Sequence, residues 1–140
     1  MTYSHPDSHT YPQRQLQQKW LSHPLWSNGP SSGTLIEKRE RLEIRESESL
    51  RWLHRCNGAV ESVMDLTDKN QLILPHSQAM SLARLFNSTP STVLNLGLGG
   101  GDLVRYLLGQ LTAVSITSVE NDSHLIKLHQ QHFSRERNHH

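Results

Sequence analysis

The chain has a single cysteine, almost no excess of either charge, few aromatic residues and no long apolar run. With only Cys56, no intrachain disulfide and no cysteine-built zinc cage can form, which agrees with a reducing compartment. Cys56 also lies in a strand-like run with no helix N-terminus to lower its pKa, a poor setting for a nucleophile. Fourteen basic residues face 13 acidic ones, with ten histidines and a formal net charge of +1. No basic excess therefore points to nucleic acid or to an anionic membrane. The longest apolar stretch is far short of the ~20 residues that span a bilayer. The N-terminal MTYSHPDSHTYPQRQLQQK lacks the apolar centre of an export signal, so a soluble, cytoplasmic chain is expected. Hydrophobic residues make up 34%, aromatics 6%, and mean hydropathy is −0.60. At 140 residues the chain has the length of one domain core of ~100–150 residues and not of two enzyme domains.

What is present divides into three parts. Residues 1–33 hold four of the six prolines and a Gln-rich stretch without sustained periodicity, which predicts a mobile polar lead. Within it, 13–20 has the pattern of a short helix, and Trp20, Leu25 and Trp26 are candidates to pin the lead to the body. Residues 34–74 alternate with period 2: Leu42 and Ile44 interleave with Arg41, Glu43 and Arg45, and Leu50, Trp52, His54 and Cys56 with Arg51, Leu53 and Arg55. This predicts half-buried strands in a small antiparallel meander, turning at 46–49 and at a two-residue Asn57-Gly58 loop with both φ values positive. From Pro75 to the end the order strand, glycine loop, helix, strand is that of a nucleoside-binding α/β unit. Ala79, Leu82, Ala83 and Phe86 mark one helical face, Val93, Leu94 and Leu96 a short buried strand, and Leu103, Val104, Leu107, Leu108 and Leu111 a second helix. AVSITSVE then reads as a strand, and Leu125, Leu128 and Phe133 as the inner face of a helix capped by Asp122 or Ser123.

The strongest signal for chemistry is Gly97-Leu98-Gly99-Gly100-Gly101 between a strand and a helix. Gly97 permits a tight turn, and Gly99, Gly100 and Gly101 lack Cβ atoms, so their N–H groups and the helix N-terminus are expected to approach a ligand. Glu120 follows Gly97 by twenty-three residues, at the tip of the next strand, where a carboxylate can accept ribose hydroxyls. No Lys-Ser/Thr follows the glycines, which disfavours a triphosphate loop, and Asp102 occupies the third position of the dinucleotide pattern.

The runs GAVES from Gly58, Leu74-Pro75-His76 through Met80, VLNLGLGGGD and SVEND resemble the spermidine synthase (polyamine aminopropyltransferase) family over about residues 34–133. The resemblance implies an α/β chain: a small N-terminal antiparallel β meander followed by an incomplete methyltransferase-type Rossmann fold. It implies decarboxylated S-adenosylmethionine, or S-adenosylmethionine, as the adenosyl nucleoside bound, with a polyamine as acceptor and no metal. By the same resemblance Gly97, Gly99, Gly100, Gly101, Glu120 and Asp122 bind the nucleoside, and His76 and Asp102 the amine. The family's loop aspartate falls at Gly100, with Asp102 displaced by two, and its nucleoside-contacting glutamine falls near Glu40 without a match. Nothing in the chain takes the role of the family's catalytic aspartate, which deprotonates the attacking amine. The expectation is a truncated chain, inactive alone, that pairs as a homodimer or with a complementing chain. The rival readings are an S-adenosylmethionine-dependent methyltransferase fragment and a non-catalytic interaction module. His124, His129 and His132 share a helical face, but no carboxylate or cysteine completes a metal set at ligand spacing.

Overall fold

The computed structural model describes residues 21–134, so the helix expected over 13–20 and the anchor Trp20 lie outside the described residues. Four strands, β1 (Thr34–Arg39), β2 (Leu42–Ser47), β3 (Leu50–Arg55) and β4 (Val60–Asp65), pair antiparallel in chain order. Both faces of this meander are covered, which corrects the half-buried expectation. Leu50, Trp52 and Val63 face one way and pack with Leu25, Ile73 and Leu74. Leu42, Ile44, Leu53 and Met64 face the other and pack with Leu125, Leu128 and Phe133. Side chains alternate along a strand, so the arginines and glutamates of one strand neighbour the apolar residues of the next. The buried Glu43 carboxylate is accommodated because it accepts from Arg45 Nε at 2.9 Å and pairs with the His54 ring at 3.1 Å.

The polar lead joins the body earlier than its composition suggests. A short helix α1 (Pro24–Asn28) is capped by His23, whose Nδ1 accepts from the Leu25 N–H at 3.0 Å. The other ring nitrogen therefore carries the proton and donates to the Ser47 carbonyl at 2.8 Å. Trp52 Nε1 donates to the Pro30 carbonyl at 2.8 Å, and Leu25 is buried beneath the sheet. Trp26 is exposed, against the expectation that it is buried as an anchor.

Two turns differ from expectation for a backbone reason. Arg39 pairs with Leu42 and Ser47 with Leu50, so each connection has two residues, and the first of each, Glu40 and Glu48, adopts positive φ (51° and 53°). Neither is glycine or asparagine, so the type of turn was not legible. The Asn57-Gly58 turn instead spans 56–59, with Gly58 alone at positive φ and its N–H donating to the Arg55 carbonyl at 2.8 Å. Left-handed φ costs an L-residue about 1–2 kcal/mol, offset in part by the extra freedom glycine has when unfolded. Glu48→Gly is therefore expected to raise stability by roughly 0.5–1 kcal/mol in urea unfolding.

The second part of the chain contains α2 (Pro75–Ser81), a 3-10 turn (Leu82–Leu85), β5 (Thr92–Leu96), α3 (Asp102–Gln110), β6 (Ser115–Val119) and α4 (Ser123–His132). β5 and β6 pair in parallel, Val93 opposite Ile116 and Asn95 opposite Ser118. The structure is thus α/β: an antiparallel meander, then helices about a two-stranded parallel sheet. Two expected inner faces are corrected. Helix α2 stops early and buries Ser77, while Ala79, Leu82, Ala83 and Phe86 are exposed. On β5 only Asn95 is buried, and Leu94 and Leu96 stand 64% and 74% exposed. The inner face of α4 is as expected, with Asp122 as its cap. Among the described residues no helix is long and apolar enough to cross a membrane.

Candidate functional site

The glycine loop leaves β5, rounds the end of the meander and enters α3. Gly97, Gly99 and Gly101 have φ of 83°, 54° and 75°, values that an L side chain resists. Gly100 is needed for space, because a Cβ there would stand 2.5 Å from Ser62 Cβ. At Gly97 nothing lies within 4 Å of where a Cβ would be, so this side of the loop is open to a ligand.

The loop is held by the protein's own acceptors, a departure from the expectation that its N–H groups present themselves to a ligand. Gly97 N–H donates to the Val119 carbonyl at 2.8 Å, and Gly101 N–H to the Leu98 carbonyl at 2.9 Å. Leu98 N–H donates to Glu120 Oε2 at 2.9 Å, and Gly100 N–H to Ser62 Oγ at 2.6 Å. Glu120 Oε1 further accepts from the N–H groups of Asn121 and Asp122 at 2.9 and 3.0 Å. Partial burial tends to raise the Glu120 pKa, but the donated backbone N–H groups outweigh it and hold the pKa below the ordinary value of 4.5. Asp122 Oδ1 caps α4, accepting from His124 N–H at 2.9 Å and Leu125 N–H at 3.4 Å.

Because Glu120 is stabilised in its ionised form, its contribution to loop order is present above its unfolded pKa and lost as pH falls through the folded value. The amide resonances of Leu98, Asn121 and Asp122 are therefore expected to titrate together with a midpoint below 4.5. In Glu120→Gln that shared transition should be absent.

A solvent-open cavity of about 170 Å³ lies against the open side of the loop, lined by Gly97, Leu98, Gly99, His76, Asp102 and Glu61 among others. The structure thus brings together His76, Asp102 and the first part of the loop, while Gly100, Gly101, Glu120 and Asp122 stand outside the lining. His76, in the first turn of α2, is exposed. Asp102 is 5% exposed and already engaged: its carboxylate accepts from Val63 N–H at 3.2 Å and pairs with Arg105 Nη2 at 3.2 Å. Burial pushes the Asp102 pKa up, against the pull of the Arg105 guanidinium.

Three contributors lie outside the set expected from the sequence. Glu61, rather than anything near Glu40, brings a carboxylate to the cavity wall, where it pairs with Arg55. Glu40 sits in the β1–β2 turn and does not line the cavity. Glu61 lies in the GAVES run, so its strand position was available as a signal. Ser62, its neighbour on β4, is buried under Gly100. Arg105, 2% exposed, donates to the Lys69 carbonyl at 2.9 Å, to the Phe133 carbonyl at 3.0 Å and to the Gly100 carbonyl, joining the loop to α4. Nothing in a helix-periodic sequence marks one arginine as the buried one. Among the described residues no group of three or more His, Cys, Asp or Glu is placed to hold a metal ion. His132, one of the three histidines considered, pairs with Glu37.

The chain is similar to curated polyamine aminopropyltransferases. One from Chromobacterium violaceum is 38% identical over 72 residues, 51% of this chain and 28% of the relative. Two from Neisseria meningitidis, of serogroups A and B, are 31% identical over 86 residues, 61% of this chain and 33% of each relative. The chain thus spans about a third or less of the length of the curated relatives it matches. No family model matches, and no solved structure matches. The expected resemblance to polyamine aminopropyltransferases is shown by these relatives over about half of the chain.

Proposed function

We propose that the unit from β5 to α4 is half of a Rossmann-type domain that binds an adenosyl nucleoside, either the sulfonium decarboxylated S-adenosylmethionine or its neutral thioether product methylthioadenosine. One observation carries this reading: the cavity beside the glycine loop has the carboxylates of Glu61 and Asp102 in its wall, each paired to an arginine outside the lining, and no lysine or arginine in the lining itself. Such a wall accepts a sulfonium or amine and disfavours a phosphate, whose sites gather positive charge. The likeness to aminopropyltransferases supports the same ligand class. At about 170 Å³ the cavity is below the ~300 Å³ of ordinary small-molecule sites, so it receives the sulfonium end of the ligand and leaves the base to lie outside it.

Glu120 has about four lone-pair sites, and backbone N–H groups occupy most of them. Ribose hydroxyls are accepted by exchange with one of these, so binding loosens the Leu98 contact. The 140-residue chain by itself does not transfer an aminopropyl group in this reading. Of the two wall carboxylates, Asp102 is tied to Arg105 and Val63, and Glu61 to Arg55, so neither is free to take a proton from an attacking amine.

The test is an amide proton–nitrogen NMR titration with methylthioadenosine. Saturable shifts at Leu98, Gly99 and Asp122 are expected, with affinity reduced at least about tenfold in Glu120→Gln, as for loss of a charged hydrogen-bond acceptor. Unmoved spectra at millimolar ligand would refute the nucleoside reading.

A further inference from the structure

A second cavity, of about 480 Å³, opens between the 3-10 turn, β5 and α3. Its walls are Met80, Ala83, Pro90, Val93, Leu94, Leu96, Leu103 and Leu107 with a few polar neighbours, and its one ionisable wall residue is Arg84. This volume lies within the ~300–1,000 Å³ typical of apolar ligand sites that carry a few directing polar groups. It adjoins the glycine-loop cavity, sharing Met80, Asn95, Leu96 and Leu103, but does not depend on the nucleoside reading.

Arg84 is incompletely satisfied. Its Nη1 donates to the Tyr106 hydroxyl at 3.2 Å, and its guanidinium lies 5.9 Å from the centre of that ring. Its Nε is buried without an acceptor, and no carboxylate among the described residues pairs with it. A guanidinium presents donors in a planar fork that suits a carboxylate, and a buried donor without a partner is costly. An apolar cavity with one under-satisfied cation and no acid in its wall selects for a ligand that is itself apolar with one negative end.

We infer that this cavity binds an amphipathic monocarboxylate, its carboxylate on Arg84 and its aliphatic or aryl body along Leu94, Leu96, Leu103 and Leu107. Charge complementarity distinguishes it from a general apolar patch, because an uncharged body of the same shape leaves Arg84 as it is.

Octanoate and 1-octanol serve as probes in an amide NMR titration of the whole chain. Octanoate is expected to give saturable shifts at Leu94, Leu96 and Leu107, and octanol to bind at least about tenfold more weakly. Arg84→Gln should remove the difference between the two probes, and Arg84→Lys should restore part of it. Equal binding of both probes to the unaltered chain would overturn the inference, since it requires no cation. So would the absence of shifts with octanoate, or a dimer on sizing whose contacts centre on Leu94 and Leu96, because a second copy would then cover the face. Binding of methylthioadenosine, read at Leu98 and Asp122 in the same spectra, succeeds or fails separately.

Discussion

Arg105→Met is expected to destabilise the chain by about 3–5 kcal/mol, the usual range for removing one partner of a buried ion pair. The arginine is almost wholly buried, and its removal leaves the Asp102 carboxylate buried with the Val63 N–H and no cation. It also removes the hydrogen bonds that Arg105 donates to the carbonyls of Gly100, Lys69 and Phe133, in three separate parts of the chain. Methionine replaces most of the volume, so packing contributes little to the loss and the electrostatic account is isolated. Urea unfolding measures it. The double variant Asp102→Asn, Arg105→Met should recover part of the loss, since the uncompensated charge is gone while the hydrogen bonds Arg105 donated to the three carbonyls stay lost. A loss below about 1 kcal/mol in the single variant would show that water reaches the pair, and that the loop is not fastened to α4 through this side chain.

The same residue shows how far the sequence could be read. Period 2 located the meander because alternation survives even in a sheet covered on both faces; what it could not show was the second covering layer. That layer comes from Leu25 on one side and from Leu125, Leu128 and Phe133 on the other, residues far apart in the chain. The glycine loop and Glu120 were legible because positive φ and a carboxylate at a strand tip leave local marks. Their partners were not, since Ser62, Glu61 and Arg105 are placed by the docking of meander and loop, which is a tertiary fact. Apolar spacing over 79–86 and at Leu94 and Leu96 predicted burial that the structure does not provide. Periodicity reports which side of an element is apolar, and burial also needs a layer to meet it; Phe86 at 93% exposure has none among the described residues.

Gly101→Ala tests whether the loop conformation or its mere presence matters, and it is expected to cost more than a surface glycine substitution. The left-handed backbone at φ 75° charges an alanine about 1–2 kcal/mol. The added Cβ would stand 2.4 Å from His129 Cε1 and 2.9 Å from its Nδ1, so the ring must move, for about 1–3 kcal/mol of overpacking. The ring has little room to do so, because it is partly buried, and burial together with the nearby Arg105 charge holds its pKa below 6.5. A depressed histidine pKa means that protonation opposes the folded state, so if the displaced ring stays buried, variant and unaltered chain should both lose stability as pH falls through the unfolded value of about 6.5, with the gap between them level. If instead the ring swings into solvent, only the unaltered chain keeps that pH-dependent loss, so the gap should narrow as pH falls. On the proposed nucleoside reading, affinity for methylthioadenosine should fall either way, since Gly101 N–H closes the turn onto the Leu98 carbonyl and Leu98 N–H holds Glu120. His129→Ala in the Gly101→Ala background removes the clash but not the strained φ, and should recover the overpacking share alone. Equal stability of Gly101→Ala and the unaltered chain in urea would mean that the loop adopts a different backbone in solution.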